Sequence, residues 1–259
     1  MIRNLAMLCL LAFASCSSIG TTSDKAPALR VLAYNIKHGE GMDGKLDLER
    51  VAELIRRFDP DIVTLQEVDR ECARTNGVDQ AAWLGEACGM HAAFGGFMPY
   101  DGGDYGMAVL SREPMLEVTN LRLPDGSEPR TALAVRVNSA QGEVIVCGIH
   151  FYRTETERLA QAQVVTEHFR DSDVPVILAG DFNSKPGSQV MEVLEQGWLN
   201  IPKGGSALTF PANDPNREID YCLVQPAESV QSHTLIVVDE SLISDHRPLL
   251  LELKLASGR

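Results

Sequence analysis

The pattern of apolar and polar positions predicts short strands that alternate with helices. An apolar run over residues 29–34 predicts a first strand, and Leu48, Val51, Ile55 and Phe58 then recur at helical spacing before Asp59-Pro60 ends the helix. Strands are further predicted over 62–65, 107–110, 131–137, 144–149, 174–179, 219–224, 234–238 and 249–253, and helices over 81–88, closed by Gly89, and 155–170. This alternation indicates one α/β domain of mixed sheets with helices outside.

The first residues have the pattern of an export signal. Arg3 precedes an apolar run over residues 5–14, which is too short for a bilayer span of about 20 residues. Residues 13–16 resemble a lipobox, which predicts signal cleavage before a lipidated Cys16. The alternatives are cleavage after the A-x-A sequence at 12–14, which releases a soluble protein, and an uncleaved anchor. We predict a signal over 1–15, a tether over 16–27 and a periplasmic or cell-envelope lipoprotein, with a secreted soluble protein as the alternative.

Composition narrows the class of protein. The chain has 259 residues, is 44% hydrophobic and carries a formal net charge of −13. These values exclude a disordered chain, a collagen-like repeat and a disulfide-dense miniprotein. Because an acidic protein repels polyanions at long range, non-specific binding of nucleic acid is disfavoured, although a local groove can oppose the global sign.

The cysteines show no metal-binding spacing. Of the six, Cys9 and Cys16 lie in the signal region, and none of the others forms a C-x-x-C pair. Cys147 and Cys222 fall within strand-like runs and are predicted to be core residues. The remaining two, Cys72 and Cys88, either close a short surface disulfide or stay free.

Polar residues that suit chemistry fall at the ends of the predicted strands. Any one of them has a structural explanation, because an Asp after a strand commonly forms a turn and a single His is commonly a structural residue. Together they comprise carboxylates, carboxamides and imidazoles, which suit a hard cation such as Mg²⁺ or Mn²⁺ and acid–base work on a phosphate ester. They are Asn35, Gln66-Glu67, His150, Asp181-Phe182-Asn183, Asp220 and Asp245-His246.

These residues belong to motifs that resemble a known superfamily. The motifs are Tyr34-Asn35-Ile36, Leu65-Gln66-Glu67-Val68, Tyr105-Gly106 with Leu110-Ser111-Arg112, Ile149-His150, Gly180-Asp181-Phe182-Asn183, Arg217-Glu218-Ile219-Asp220-Tyr221 and Ser244-Asp245-His246-Arg247-Pro248. In this order, over about residues 29–253, they resemble the endonuclease/exonuclease/phosphatase (deoxyribonuclease I-like) superfamily, and most of all its small bacterial members. The resemblance implies a catalytic domain over 28–259 with a four-layer α/β sandwich, in which two packed mixed β-sheets are flanked by helices.

The resemblance also implies roles for individual residues. Glu67 is implied as the principal ligand of Mg²⁺ or Mn²⁺, helped by Asn35 and Asp245, and His246 paired with Asp220 as the acid–base group. The other implied catalytic residues are Asp181 and Asn183, which would orient water and phosphate, and His150, the second histidine, although Ile149 replaces the usual Thr before it. Arg130, Arg74 and Tyr105 are candidates for substrate binding, with a structural ion pair or packing as the alternative for each.

Three hypotheses for function follow from these observations. The first is a metal-dependent phosphoesterase that hydrolyses a phosphate mono- or diester with activated water. The alternative is an exported nuclease acting on DNA or RNA, and the remote alternative is a non-catalytic binding lipoprotein. The expected partner is a phosphate-ester substrate of unknown identity, and the lipoprotein prediction adds membrane attachment through a lipidated Cys16. No protein partner is evident from the sequence, and a monomer is expected.

Overall fold

Two six-stranded β-sheets form the centre of the molecule. A computed structural model describes residues 27–256, so the predicted signal and nearly all of the predicted tether lie outside the described residues. The strands are β1 (Leu29–Asn35), β2 (Ile62–Arg70), β3 (His91–Tyr100), β4 (Gly103–Ser111), β5 (Met115–Arg122), β6 (Thr131–Ser139), β7 (Gly142–His150), β8 (Val176–Asp181), β9 (Leu199–Asn200), β10 (Asp220–Gln225), β11 (Val230–Val237) and β12 (Leu249–Leu255), and the helices are α1 (Leu48–Phe58), α2 (Gln80–Cys88), α3 (Glu155–Phe169) and α4 (Gln189–Leu194).

Both sheets are mixed and have a similar plan. The first has the order β11-β12-β1-β2-β4-β3 and the second the order β5-β6-β7-β8-β10-β9. Each contains one parallel pair near its middle, β1 with β2 and β7 with β8, and the other pairs are antiparallel. A parallel pair brings the carboxyl ends of its two strands to the same edge of the sheet. This arrangement gathers polar residues that are far apart along the chain.

The hydrophobic core has three layers, as expected for a four-layer sandwich. Residues such as Val31, Val109 and Ile177 fill the space between the two sheets. A second layer packs the outer face of the first sheet against α1 and α2, and a third packs the outer face of the second sheet against α3 and α4. Because the central strands are covered on both faces, they appear in the sequence as continuous apolar runs. The predicted fold class is therefore confirmed.

Most predicted elements are present, often with extended bounds. Strand β2 continues to Arg70, five residues beyond the predicted end, and α2 begins at Gln80. The two predicted helix ends are confirmed, since Asp59 and Gly89 both adopt the left-handed conformation at the C-termini of α1 and α2.

The sequence did not predict β3, β5, β9 or α4. Strand β3 contains Gly95, Gly96 and Pro99, which disfavour a strand assignment. A Cβ atom added to Gly106 of β4 would lie 2.1 Å from the carbonyl oxygen of Gly95, so the two strands approach too closely for larger residues there. Strand β5 is a largely exposed edge strand without a continuous apolar run.

The described cysteines are free thiols. The suggested Cys72–Cys88 disulfide is absent, because the thiol of Cys72 is buried and lies 3.1 Å from the carbonyl oxygen of Tyr100, whereas the thiol of Cys88 faces α1 at Ala52. Cys147 and Cys222 are fully buried, as predicted. Within residues 27–256, no helix is long and apolar enough to cross a membrane.

Candidate active site

Strand register brings the polar residues of the second sheet together. Strand β8 lies between β7 and β10, and its last residue, Asp181, is paired with His150 on one side and with Asp220 on the other. All three side chains are nearly inaccessible to solvent, with exposures of 2 to 4%. In the first sheet, Asn35 at the end of β1 is paired with Gln66 of the parallel strand β2. The strand ends of the two sheets meet through Asn35, whose Nδ2 atom donates a hydrogen bond of 3.3 Å to Oδ2 of Asp181.

A β-bulge places the side chain of Glu67. The pairing of β2 with β4 shifts register between Gln66 and Val68, and Glu67 has a φ angle of +57°, in the left-handed region. A bulge of this kind interrupts the alternation of side chains along a strand. The Glu67 carboxylate accordingly accepts a hydrogen bond of 3.1 Å from Nδ2 of Asn35 and lines a cavity at the sheet edge. Strained backbone of this kind is concentrated at functional sites.

The turn after β8 is held by its own side chains. The backbone N–H of Asn183 donates a hydrogen bond of 2.8 Å to Oδ1 of Asp181. The Nδ2 atom of Asn183 donates to the carbonyl oxygen of Phe151 at 2.9 Å. Asn183 also has a positive φ angle, of +49°, which asparagine tolerates better than most residues. These contacts fix Asp181 and Asn183 at the end of the strand.

His246 lies in the loop before β12 and contacts both carboxylates of the second sheet. Its Nδ1 atom lies 3.0 Å from Oδ2 of Asp220, and its Nε2 atom lies 3.7 Å from Oδ2 of Asp181. The loop is anchored by Ser244, whose hydroxyl donates a hydrogen bond of 2.7 Å to the carbonyl oxygen of Asn35. The ring of Phe210 lies 4.8 Å from the imidazole, centroid to centroid.

His150 has fewer polar contacts than His246. Its Nε2 atom lies 3.6 Å from Oδ2 of Asp181, so this one carboxylate oxygen faces both histidine rings. Its Nδ1 atom is buried and has no hydrogen-bond partner among the described residues. The preceding residue, Ile149, offers no side-chain hydroxyl for this purpose.

The two histidines have opposite electrostatic environments. Burial lowers the pKa of His246, but the carboxylates of Asp220 and Asp181 outweigh this effect and raise the pKa to about 10. Burial lowers the pKa of His150 well below its ordinary value, and the positive charge of Arg130 adds to the effect. One ring is therefore held as imidazolium at neutral pH and the other as neutral imidazole.

The carboxylates near these rings are destabilised by burial. Burial raises the pKa of Asp181 to about 7; the His246 imidazolium opposes this rise and Asp220 adds to it. Burial also raises the pKa of Glu67, against the hydrogen bond from Asn35, and the negative charge of Asp245 adds to the rise. Closely spaced buried carboxylates of this kind are stabilised by a cation.

The donor set fits a hard divalent cation. Carboxylate and carboxamide oxygens are the ligands that Mg²⁺ and Mn²⁺ prefer, and the site offers no thiolate. Asp181, Asp220 and His246 each offer a ligand atom within 4.8 Å of the others and could hold a metal ion. The set implied by the sequence, Asn35, Glu67 and Asp245, lies at the same cavity. In the first of these sets, Asp220 is also the hydrogen-bond partner of His246, so binding of an ion there would compete with that pair.

The predicted site residues converge on one cavity of about 680 Å³. Asn35 and Asp220 lie behind its wall and hydrogen-bond to residues that line it. The predicted residues that line the cavity are Glu67, Arg74, Tyr105, Arg130, His150, Asp181, Asn183, Asp245 and His246. The structure thus brings all of these candidates together, while their individual roles stay predictions.

The three candidates for substrate binding differ in the contacts that they already make within the protein. Arg74 donates two hydrogen bonds of 2.7 Å to the carboxylate of Asp69, so its charge has a structural partner. Arg130 is 5% exposed and forms an ion pair with Glu128, in which Nη1 lies 2.5 Å from Oε1. The angles of this contact do not meet those of a hydrogen bond, so Nη1 has no hydrogen-bond partner among the described residues. The guanidinium groups of both arginines lie over the ring of Tyr105, at 5.5 and 5.8 Å from its centroid.

The sequence did not identify other residues of the cavity wall. Arg153, Arg158 and Arg217 line it, as does Phe210. Arg217 is the first residue of the motif that contains Asp220, but the resemblance implied no function for it. Arg153 lies only three positions after His150. Their positions in the sequence, close to the ends of β7 and β10, indicated that they could lie near the site. Nothing in the sequence pattern showed that their side chains face the cavity.

Comparisons with known proteins agree with this architecture. A family model described as the Endonuclease/Exonuclease/phosphatase family matches residues 32–246. The chain is 28% identical over 245 residues to the uncharacterized protein YbhP of Escherichia coli, covering 88% of this chain and 97% of that protein.

Solved structures show the same fold. The crystal structure of an endonuclease/exonuclease/phosphatase from Beutenbergia cavernae superimposes with a TM-score of 0.71 and 26% identity, covering 89% of this chain and 72% of that one. A mannosyl-6-phosphatase from Bacteroides thetaiotaomicron superimposes with a TM-score of 0.70 and 21% identity, covering 87% and 99%.

Proposed function

Because this chain belongs to the endonuclease/exonuclease/phosphatase family, we propose that it is a divalent-metal-dependent phosphoesterase that hydrolyses a phosphate mono- or diester with water. The family includes phosphatases and nucleases, and its enzymes are typically dependent on divalent metals. The observation that carries the proposal is the position of the His246–Asp220 pair beside the carboxylate of Asp181, in a cavity that Glu67 also lines.

In the proposed function, carboxylates of the site bind the metal ion that stabilises the charge of the phosphate. Glu67 and Asp245, with the carboxamide oxygen of Asn35, would hold the metal ion. When bound there, a divalent cation neutralises negative charge on the phosphate oxygens. Arg130, buried at the same cavity, is placed to add a fixed positive charge near the phosphate.

His246 and Asp181 supply the proton transfers. Asp220 accepts a hydrogen bond from Nδ1 of His246, which leaves Nε2 to face the cavity as the proton-carrying atom. In the proposed step a water oxygen forms a bond to phosphorus while the bond from phosphorus to the ester oxygen breaks. Asp181 takes a proton from the water, and His246 gives its Nε2 proton to the departing oxygen. Asn183 orients the water and the phosphate beside Asp181.

Two observations support a small substrate over a long nucleic acid. The site is a half-open cavity of about 680 Å³, a volume within the range of small-molecule sites. The chain as a whole carries a net charge of −13, which opposes the approach of a polyanion. The nuclease hypothesis is retained as the alternative that the assay below decides.

A panel of substrates tests the proposed function. Purified protein would be assayed with Mg²⁺ or Mn²⁺ on p-nitrophenyl phosphate, bis-p-nitrophenyl phosphate, inositol phosphates, phospholipids, and single- and double-stranded DNA and RNA. We expect hydrolysis of at least one small ester that stops on addition of EDTA. Preferential cleavage of DNA or RNA would establish the nuclease alternative. Absence of hydrolysis across the panel, from protein that still binds Mn²⁺, would favour a binding protein.

We also propose export as a lipoprotein, on the basis of the signal pattern and Cys16. Metabolic labelling with a radioactive fatty acid tests this proposal, with Cys16→Ser as the matched variant. Label is expected on the wild-type protein alone. Unlabelled wild-type protein in the medium or periplasm would instead support cleavage after the A-x-A sequence at residues 12–14.

A further inference from the structure

Three arginines of the cavity wall have no carboxylate partner. Arg74 is paired with Asp69 and Arg130 with Glu128, but among residues 27–256 no such ion pair is formed by Arg153, Arg158 or Arg217. Unpaired guanidinium groups around one cavity are notable in a chain with a net charge of −13, where acidic partners are plentiful. These cations are therefore candidates for binding an anion that enters the cavity.

Arg217 is an exposed residue that stacks on the same phenylalanine ring as the one that contacts His246. Its guanidinium carbon lies 4.3 Å from the centroid of the Phe210 ring, and that ring lies 4.8 Å from the ring of His246. The backbone of Arg217 is fixed to the same loop, because its N–H donates to the carbonyl oxygen of Phe210 at 2.9 Å and its carbonyl accepts from Thr209 at 2.8 Å. A stacked arginine retains its hydrogen-bond donors at the edge of the guanidinium plane.

Arg158 reaches the cavity from helix α3. Its Nη1 atom donates to the backbone carbonyl oxygens of Tyr152 and Arg153, and its Nε atom is buried without a hydrogen-bond partner in the described part of the chain. Burial lowers the pKa of Arg158, and the negative charges of Glu155 and Asp181 oppose this shift without either carboxylate forming an ion pair with it. Arg158 is therefore a partly desolvated cation with unused donor capacity near the proposed reaction centre.

We infer that the substrate carries a second anionic group, a carboxylate or a second phosphate, that Arg158 and Arg217 bind. The inference rests on the proposed function, in which the metal site and Arg130 serve the phosphate that is hydrolysed. The planar, forked donors of arginine match carboxylate and phosphate oxygens, so the unpaired arginines provide a second anion subsite. A cavity of this volume with two anion subsites favours small, doubly anionic phosphate esters.

Matched pairs of substrates test this inference. Glycerol 3-phosphate and 3-phosphoglycerate share a three-carbon skeleton and differ by a carboxylate, whereas fructose 6-phosphate and fructose 1,6-bisphosphate differ by a phosphate. We expect kcat/KM to be at least about tenfold higher for the doubly anionic member of at least one pair. A hydrogen bond to a charged group contributes about 1.5 kcal/mol or more, which corresponds to a factor of about ten in binding. A preference confined to one pair identifies the second group as carboxylate or as phosphate.

Variants connect the preference to the two arginines. In Arg158→Gln and Arg217→Gln, we expect KM for the preferred substrate to rise about tenfold and its advantage over the singly anionic partner to fall towards one. Arg170→Gln is the matched control, because Arg170 is exposed, pairs with Glu167 and does not line the cavity.

The outcomes separate this inference from the proposed function. Equal kcat/KM within both pairs, or an unchanged preference in both variants, overturns the second anion subsite. Cleavage of bis-p-nitrophenyl phosphate without turnover of any of the four esters also overturns it, while the proposed phosphoesterase activity stands. Absence of metal-dependent hydrolysis on every substrate overturns the proposed function itself, and the second subsite with it.

Discussion

The imidazole of His246 bridges two carboxylates from adjacent strands of the opposite sheet. Its Nδ1 atom lies 3.0 Å from Asp220 and its Nε2 atom 3.7 Å from Asp181, and the register of β8 and β10 pairs these two aspartates directly. The histidine itself comes from the loop before β12 of the first sheet. The candidate acid–base group therefore exists only when the two sheets are packed together.

The first prediction concerns the contribution of His246 to catalysis. We expect His246→Ala to lower kcat by roughly 10²–10⁴-fold, the range for loss of a positioned acid–base group. His91→Ala is the control, because His91 is exposed on β3 and does not line the cavity. Steady-state rates with Mg²⁺ measure the effect. A loss below tenfold would assign the proton transfer to another group.

The second prediction concerns the pH dependence of stability. The carboxylates of Asp220 and Asp181 outweigh the effect of burial and raise the pKa of His246 in the folded protein to about 10, above its ordinary value of 6.5. Such a group contributes stability that is fully present below the unfolded pKa and is lost as the pH rises through the folded pKa. The contribution of His246 is therefore lost between about pH 6.5 and about pH 10.

Comparison with His246→Gln isolates this contribution. We expect the free energy of unfolding of the metal-free wild type, relative to the variant, to fall by roughly 3 kcal/mol between about pH 7.5 and about pH 10. Urea denaturation in EDTA at several pH values measures the difference. A difference that does not change with pH would show that the ring is not held as imidazolium.

The positions of several candidate site residues could be predicted because buried strands have simple sequence signatures. The central strands β1, β2, β7 and β8 are covered on both faces, so each is a continuous apolar run with a polar residue at its end. Asn35, His150 and Asp181 were recognisable for this reason. The resemblance of the motifs supplied the arrangement of two packed mixed sheets flanked by helices, which periodicity alone does not determine; the order of the strands within each sheet came only from the structure.

Other features depend on contacts that the sequence pattern does not encode. The bulge at Glu67 is a register shift between two strands, and nothing in the local sequence requires it. The glycines of β3 weaken its strand signal, although they are what allow its close approach to β4. The arginines of the cavity wall lie in loops and in α3, where residue type does not reveal the direction of the side chain.

The third prediction concerns the metal site. We expect Glu67→Gln to abolish metal-dependent turnover and to weaken Mn²⁺ binding at least about tenfold in calorimetric titration, because it removes a charged oxygen ligand. In EDTA the variant should unfold at the same or a higher urea concentration, since burial raises the pKa of Glu67 and the charged carboxylate is costly to bury. Glu53→Gln, at an exposed position of α1, is the control.

Asp220→Asn distinguishes the two candidate ligand sets. If the ion is held by Asn35, Glu67 and Asp245, this variant keeps its affinity for Mn²⁺ and loses activity through His246. Loss of Mn²⁺ affinity in Asp220→Asn equal to that in Glu67→Gln would instead place the ion among Asp181, Asp220 and His246.

The last prediction concerns Gly180, which directly precedes Asp181. Its φ angle of +144° is accessible to glycine and strained for other residues, and an added Cβ atom would lie 2.2 Å from the carbonyl oxygen of Ile149. We expect Gly180→Ala to lower the free energy of unfolding by about 3 kcal/mol or more, because the contact is with backbone of the neighbouring strand β7 and cannot be relieved by a side-chain rotation.

Gly197→Ala provides the comparison, since an added Cβ atom there meets its nearest neighbour, Thr166, at 4.0 Å. This variant should be within about 1 kcal/mol of the wild type in urea denaturation. Because β7 carries His150 and β8 carries Asp181, separation of these strands by Gly180→Ala should also reduce kcat in whatever fraction of the protein remains folded. A folded variant with wild-type stability and wild-type kcat would show that the two strands need not approach this closely for the site to form.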